Sequence, residues 1–183
     1  MTTFSRAVAR PSQLSVFGVV GFAAATAAAS QIAIPLPFTQ VPVTLQPMLV
    51  ILAGMMLGPV AGLASMVLYL AAGAVGLPVF TPIGAPGIAR FLGPTGGYLI
   101  AYPAAAFVAG FIARRSSSLR GRWLAGVAGM AVIYLGGIAQ LAVLSGSIGR
   151  AVALGVTPFA ALDLVKAWIA AAISGPRSVR RDS

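Results

Sequence analysis

Lipid-compatible segments follow one another along nearly the whole chain, and this recurrence limits the possible folds more than any other feature. Apolar runs occupy Leu14 to Ile34, Met48 to Leu57, Val60 to Val75, Gly97 to Ala113, Trp123 to Leu144, and the stretch between Thr157-Pro158 and Gly175-Pro176. Backbone N–H and C=O groups in hydrocarbon must find partners inside their own segment, so runs of this kind are helices. The expected fold class is an all-α membrane protein, a six-transmembrane-helix bundle over residues 13–175 with long extracellular loops 1 and 3. Residues 1–12 and 176–183 read as short basic cytoplasmic tails.

Arginine placement sets the number of crossings. Met48 to Leu57 covers only ~15 Å as a helix, half the bilayer core, and either crosses with help from the preceding loop or dips in and returns. With six crossings, nine arginines (Arg6, Arg10, Arg114, Arg115, Arg120, Arg122, Arg177, Arg180 and Arg181) share one side, and only Arg90 and Arg150 lie on the other. With five, the split is four against seven with the N-terminus on the poorer side. Lys and Arg accumulate in the cytoplasm, so six crossings with both termini inside is the expectation. Leu14 to Ile34 has the basic flank and small residues of a signal peptide, but it exceeds the ~7–15-residue apolar core of such signals and reads as the first span.

The chemical inventory is sparse. Cys, His, Glu and Asn are absent, and Asp occurs only at positions 163 and 182, which excludes thiolate metal sites and leaves little for acid–base catalysis. An enzyme is not expected. The net charge of +10 comes from arginines at the ends of apolar runs, a membrane-orientation pattern rather than a nucleic-acid footprint.

Against that background Asp163 and Lys166 stand alone in the last apolar segment. Thr157-Pro158 is a suitable helix start and Gly175-Pro176 a suitable stop. Three residues apart, the two charges share one helix face, roughly 8 and 12 Å from Pro158 along the axis. Charges at membrane depth mark function by default; the alternative is a structural pair locking two helices.

Two loops stand out. Pro35 to Pro47 carries four prolines, cannot be helical, and is half-apolar, as lids and binding loops are. Phe38, Thr44 and Gln46 are its candidate ligand contacts. Gly76 to Pro94 is the second, with Arg90 just before Gly93-Pro94-Thr95-Gly96-Gly97 and the start of the fourth span, where free N–H groups favour an anion. Arg90 either strengthens that site or reaches for lipid headgroups. Tyr134 and Gln140 in the fifth span either bridge helices or face a cavity. Ser145 to Val156 reads as the last outer loop. In the first span Ala23/Ala27, Ala24/Ala28 and Ala25/Ala29 are small-xxx-small pairs that permit close helix approach, within the chain or by a partner subunit. Two cations and one carboxylate framed by apolar side chains suit a small ligand with one anionic end, amide-like groups and an apolar body.

Four ordered motifs go further. Pro35-Leu36-Pro37-Phe38 with Val41-Pro42-Val43-Thr44-Leu45-Gln46, Gly76-Leu77-Pro78-Val79-Phe80, Gly93-Pro94-Thr95-Gly96-Gly97-Tyr98, and Asp163-x-x-Lys166 resemble the biotin-specific substrate-binding (S) component of energy-coupling-factor (ECF) transporters. The resemblance covers about residues 14–174. It implies a subunit of the prokaryotic cytoplasmic membrane that captures biotin from outside and needs no cofactor. It also implies a transmembrane coupling subunit and two cytoplasmic ATPase subunits as partners. By this resemblance Asp163, Lys166 and Arg90 hold the polar groups of biotin, with Phe38, Thr44, Gln46, Tyr98 and Gln140 around them. Ala23, Ala24, Ala27 and Ala28 would form the face that packs on the coupling subunit. The sequence departs from the family pattern at Ala161-Leu162, where Pro-Gly is usual, and after Phe80, where proline replaces glycine. An S component for another small vitamin and a non-transport assembly protein are the alternatives.

Overall fold

Proline and glycine set the boundaries of the helices. The computed structural model describes residues 13–175, so the tails expected at 1–12 and 176–183 lie outside the described residues. Helix α1 (Gln13–Gln31) ends before Pro35, and the proline-rich stretch forms a small antiparallel hairpin of β1 (Ile34–Leu36) and β2 (Thr39–Val43). Proline biases its predecessor to extended backbone, so a segment that cannot be helical pairs with itself instead. Helix α2 (Gln46–Leu57) comes next, with Pro47 in its first turn. Gly58 (φ +90°) turns the chain directly into α3 (Pro59–Ala74), a conformation that disfavours any side chain.

The segment from Gly76 to Pro94 contains a 3-10 turn, Gly87–Leu92, and leads to α4 (Gly96–Ala113). Helix α5 (Leu119–Ser145) begins earlier than expected, because the Ser118 side chain accepts from the Gly121 N–H at 3.1 Å and caps it. Arg120 and Arg122 therefore sit on the helix rather than in a loop. A larger correction concerns Ser145 to Val156, expected as a loop: it contains the amphipathic helix α6 (Ile148–Gly155), whose Ser147 side chain caps the Arg150 N–H. Helix α7 (Ala160–Ile173) starts two residues beyond Pro158. Thr157 does not cap it; its hydroxyl donates back to the Val152 carbonyl at 3.3 Å.

The protein is thus predominantly helical and apolar. By length and composition α4 and α5 each suffice to cross a membrane, and α6 and α7 suffice together, bent by 55°. The Val16–Gln31 stretch of α1, and α2 and α3, are apolar but shorter, α2 reaching about 18 Å.

Small residues let the helices touch backbone to backbone. A Cβ on Gly54 would lie 1.9 Å from the Ala106 carbonyl oxygen, and one on Gly62 2.7 Å from the Gly54 Cα. That joins α2, α3 and α4 at one point, the close approach small residues permit in membranes. The most extensive helix contact is between α4 and α5, where a Cβ on Gly97 would meet the Gly136 oxygen at 2.1 Å. Arg90 and Arg150 lie toward one end of this bundle and Arg114, Arg115, Arg120 and Arg122 toward the other, as the course of α4 and α5 requires.

Candidate ligand-binding site

At the arginine-poor end lies a cavity that encloses about 630 Å³ of empty space, open solvent included. Helical periodicity builds its walls. Thr95, Tyr98, Leu99 and Tyr102 project from one face at the start of α4, and Phe159, Asp163 and Lys166 recur on one face at the start of α7. Strand β2 contributes Val41, Pro42 and Val43, and the segment after α3 contributes Phe80 and Thr81.

The two charges meet within it. Lys166 (4% exposed) donates to Asp163 Oδ1 at 2.7 Å and to the Thr44 carbonyl at 2.8 Å. Asp163 (5% exposed) accepts at Oδ2 from the Tyr134 hydroxyl at 2.6 Å. An ammonium has three donors, so one remains free, and each carboxylate oxygen retains one acceptor site. The pair is therefore anchored and still able to receive a ligand.

Arg90 lines the same cavity and is buried. Its guanidinium donates to Thr81 Oγ1 at 3.2 Å and to the carbonyls of Thr81 and Ile83, while its buried Nε has no partner among the described residues. Desolvation lowers its pKa below the ordinary arginine value, though an arginine stays charged at pH 7. The lining thus carries two cations against one carboxylate, a net positive charge that favours an anionic ligand group.

Six of the eight residues expected at the site are brought together: Asp163, Lys166, Arg90, Thr44, Gln46 and Tyr98. Thr44 and Gln46 bond each other, and Gln46 Nε2 donates to the Tyr69 hydroxyl oxygen at 2.6 Å. Tyr98 donates to the Gly155 carbonyl at 2.8 Å, fastening α4 to α6. Phe38 and Gln140, also expected at the site, lie outside the lining. Phe38 sits in the hairpin turn, 57% exposed and away from the lining, because a two-residue turn directs its side chains outward from the strand pair. Gln140 does not reach the cavity; its Nε2 donates to the carbonyls of Phe91 (3.2 Å) and Gly93 (3.4 Å), holding the approach to α4.

The alanines of α1 divide between two environments. Ala23 is buried in the core and Ala27 packs against it, whereas Ala24 and Ala28 are exposed.

Sequence reasoning overlooked Tyr102 and the wall residues Phe80, Thr81 and Phe159, and left Tyr134 between two roles. The signal was present in the tyrosines. The chain has four: Tyr98, Tyr102 and Tyr134 line the cavity, and Tyr69 backs it through Gln46 and a stacked contact with Tyr102 at 6.4 Å. A phenol within an apolar span needs a polar partner, and a polar cavity provides one.

The chain is similar to known proteins over most of its length. The probable biotin transporter BioY of Pyrococcus horikoshii is 44% identical over 153 residues, covering 84% of this chain and 89% of that protein. The biotin transporter BioY of Thermotoga maritima is 37% identical over 148 residues, covering 77% and 83%. Among solved structures, the S-component for biotin from an ECF-type ABC transporter superposes with a TM-score of 0.81 at 28% identity, covering 88% of each chain. The family model described as BioY family matches residues 6–181, and on that match the chain belongs to the BioY family.

Proposed function

We propose that this chain is the biotin-binding subunit of a vitamin uptake transporter, with residues 13–175 forming its substrate-binding domain. The observation that carries the reading is the buried Asp163–Lys166 pair at 2.7 Å, set in a cavity that also holds Arg90. Biotin offers complementary groups: a carboxylate for a cation, ureido N–H groups for the free acceptor sites of Asp163, a ureido oxygen for the remaining Lys166 donor, and an apolar body for Phe80, Tyr98 and Tyr102. Thr44, Gln46 and Tyr134 orient the pair.

In this reading α1 to α5 and the bent α6–α7 unit make six crossings of a prokaryotic cytoplasmic membrane, with both termini inside. The arginine-poor end, with the cavity, the hairpin and the Gly76 to Pro94 segment, then faces outward. The captured vitamin is released to the cytoplasm with a transmembrane coupling subunit and two ATPases, and the exposed Ala24 and Ala28 belong to the face that meets the coupling subunit. No catalytic role and no cofactor enter this function.

The test is to purify the protein, identify co-purified small molecules by mass spectrometry, and titrate the ligand-free protein with labelled biotin against other vitamins. Retention of biotin, displaced by unlabelled biotin alone, is expected. Saturable binding of a different vitamin, or of none, would overturn the assignment.

A further inference from the structure

Helix α1 contributes nothing to the cavity lining, and among the helices it packs on α2 and α3 alone. Its last turn nevertheless grips the segment that forms one cavity wall. The fully buried Ser30 hydroxyl donates to the Val79 carbonyl at 2.7 Å and lies equally close to the Ala27 carbonyl. Gln31 Nε2 lies 3.2 Å from the Pro78 carbonyl, 3.1 Å from the Phe80 carbonyl and 2.8 Å from Ser30 Oγ. Three consecutive carbonyls, 78 to 80, thus lie within hydrogen-bond reach of two adjacent side chains of one helix, whose donors also reach the Ala27 carbonyl.

Those carbonyls lie between Ala74 and Gly87, where the chain has no regular structure and its backbone groups need outside partners. The same stretch runs straight into the site. Phe80 and Thr81 line the cavity, and Thr81 accepts from Arg90 through both its hydroxyl and its carbonyl. The Phe80 ring makes T-shaped contacts with Tyr69 (centroids 5.5 Å apart) and with Phe91 (5.7 Å), the residue after Arg90. The far face of α1 (Phe17, Val20, Ala24 and Ala28) is bare, so the clasp is the physical link between that face and the cavity wall.

We propose that Ser30 and Gln31 are positioning residues: through them α1 holds the Phe80–Thr81–Arg90 wall in place, and release of this clasp controls how fast ligand leaves. The ligand part of this inference rests on the biotin reading above; the positioning part does not.

The experiment compares wild type with Gln31→Leu, which keeps the bulk of an exposed side chain and removes its donors, and with Ser30→Ala. Hydrogen exchange of the ligand-free proteins reads residues 76–92, with amides of α4 and α5 as internal reference. Dissociation of labelled biotin is then followed after a chase. Each variant is expected to exchange about fivefold faster in 76–92, the factor that one lost hydrogen bond supports, with α4 and α5 unchanged. Biotin should dissociate about fivefold faster, while its association rate changes less. Unchanged exchange in 76–92 overturns the clasp. Faster exchange with an unchanged dissociation rate overturns its control of release. If wild type binds no biotin, the biotin reading fails, and the exchange comparison alone still decides the positioning role.

Discussion

Replacing Lys166 alone and replacing the Asp163–Lys166 pair together should differ in their consequence for stability and share one consequence for binding. Lys166→Met leaves the Asp163 carboxylate buried with only the Tyr134 hydroxyl as partner, since the ammonium at 2.7 Å is gone. Breaking a buried pair in this way costs about 3–5 kcal/mol, because an uncompensated charge remains. For a chain of this size about 2–4 °C of Tm accompanies each kcal/mol, so a fall of roughly 6–20 °C is expected. In Asp163→Leu with Lys166→Met no charge is stranded, and apolar replacement of a whole pair is commonly neutral or stabilising. Tm should then return to within a few degrees of wild type. Binding does not share that recovery. A hydrogen bond to a charged group contributes about 1.5–3 kcal/mol, and losing even one weakens biotin binding by about 10- to 150-fold. Thermal unfolding in detergent, followed by the two tryptophans, and equilibrium binding of labelled biotin measure the two quantities on the same samples. A stable double variant that binds biotin within threefold of wild type would refute the site. A Lys166→Met protein as stable as wild type would refute the claim that the pair is buried and mutually compensated.

Two further outcomes test the packing. Gly54→Ala puts a methyl group 1.9 Å from the Ala106 carbonyl oxygen, a backbone atom that cannot rotate away; the three-helix contact must separate, with a loss of about 1–3 kcal/mol or more, read as a lower Tm and lower yield of folded protein. On α1, Ala24→Leu and Ala28→Leu change exposed positions and should leave Tm and biotin binding unchanged while weakening assembly with the coupling subunit in pull-down. Ala23→Leu instead overpacks the core and should lower Tm by itself.

The site was legible where a residue type was out of place in its surroundings. Asp163 and Lys166 stood out as isolated charges in a run that otherwise excludes them, and Arg90 as a lone cation in a proline-rich loop on the arginine-poor side. Phe38 and Gln140 carried no comparable conflict, since an aromatic in an apolar loop and an amide in a long helix have several satisfactory environments. The structure used both elsewhere, Phe38 on the exposed turn and Gln140 as a brace under the Phe91 and Gly93 carbonyls. Helix α6 escaped notice because its eight residues are few for periodicity to stand out; in the structure Ser147 caps it and Ala151 and Gly155 are buried.

By itself the amino-acid order determined the class of solvent, the positions of the breaks and the identity of the Asp163–Lys166 pair. These are local properties: hydrocarbon admits no unpaired backbone groups, proline forbids helix, and a charge in oil is conspicuous without any neighbour. Which tyrosines surround those charges, which alanines of α1 face outward, and that Ser30 and Gln31 hold carbonyls nearly fifty residues away were decided only by the packing of α1, α4, α5 and α7. Hydrogen bonds between distant segments depend on helix rotation and separation to within an ångström, and no periodicity along the chain encodes that.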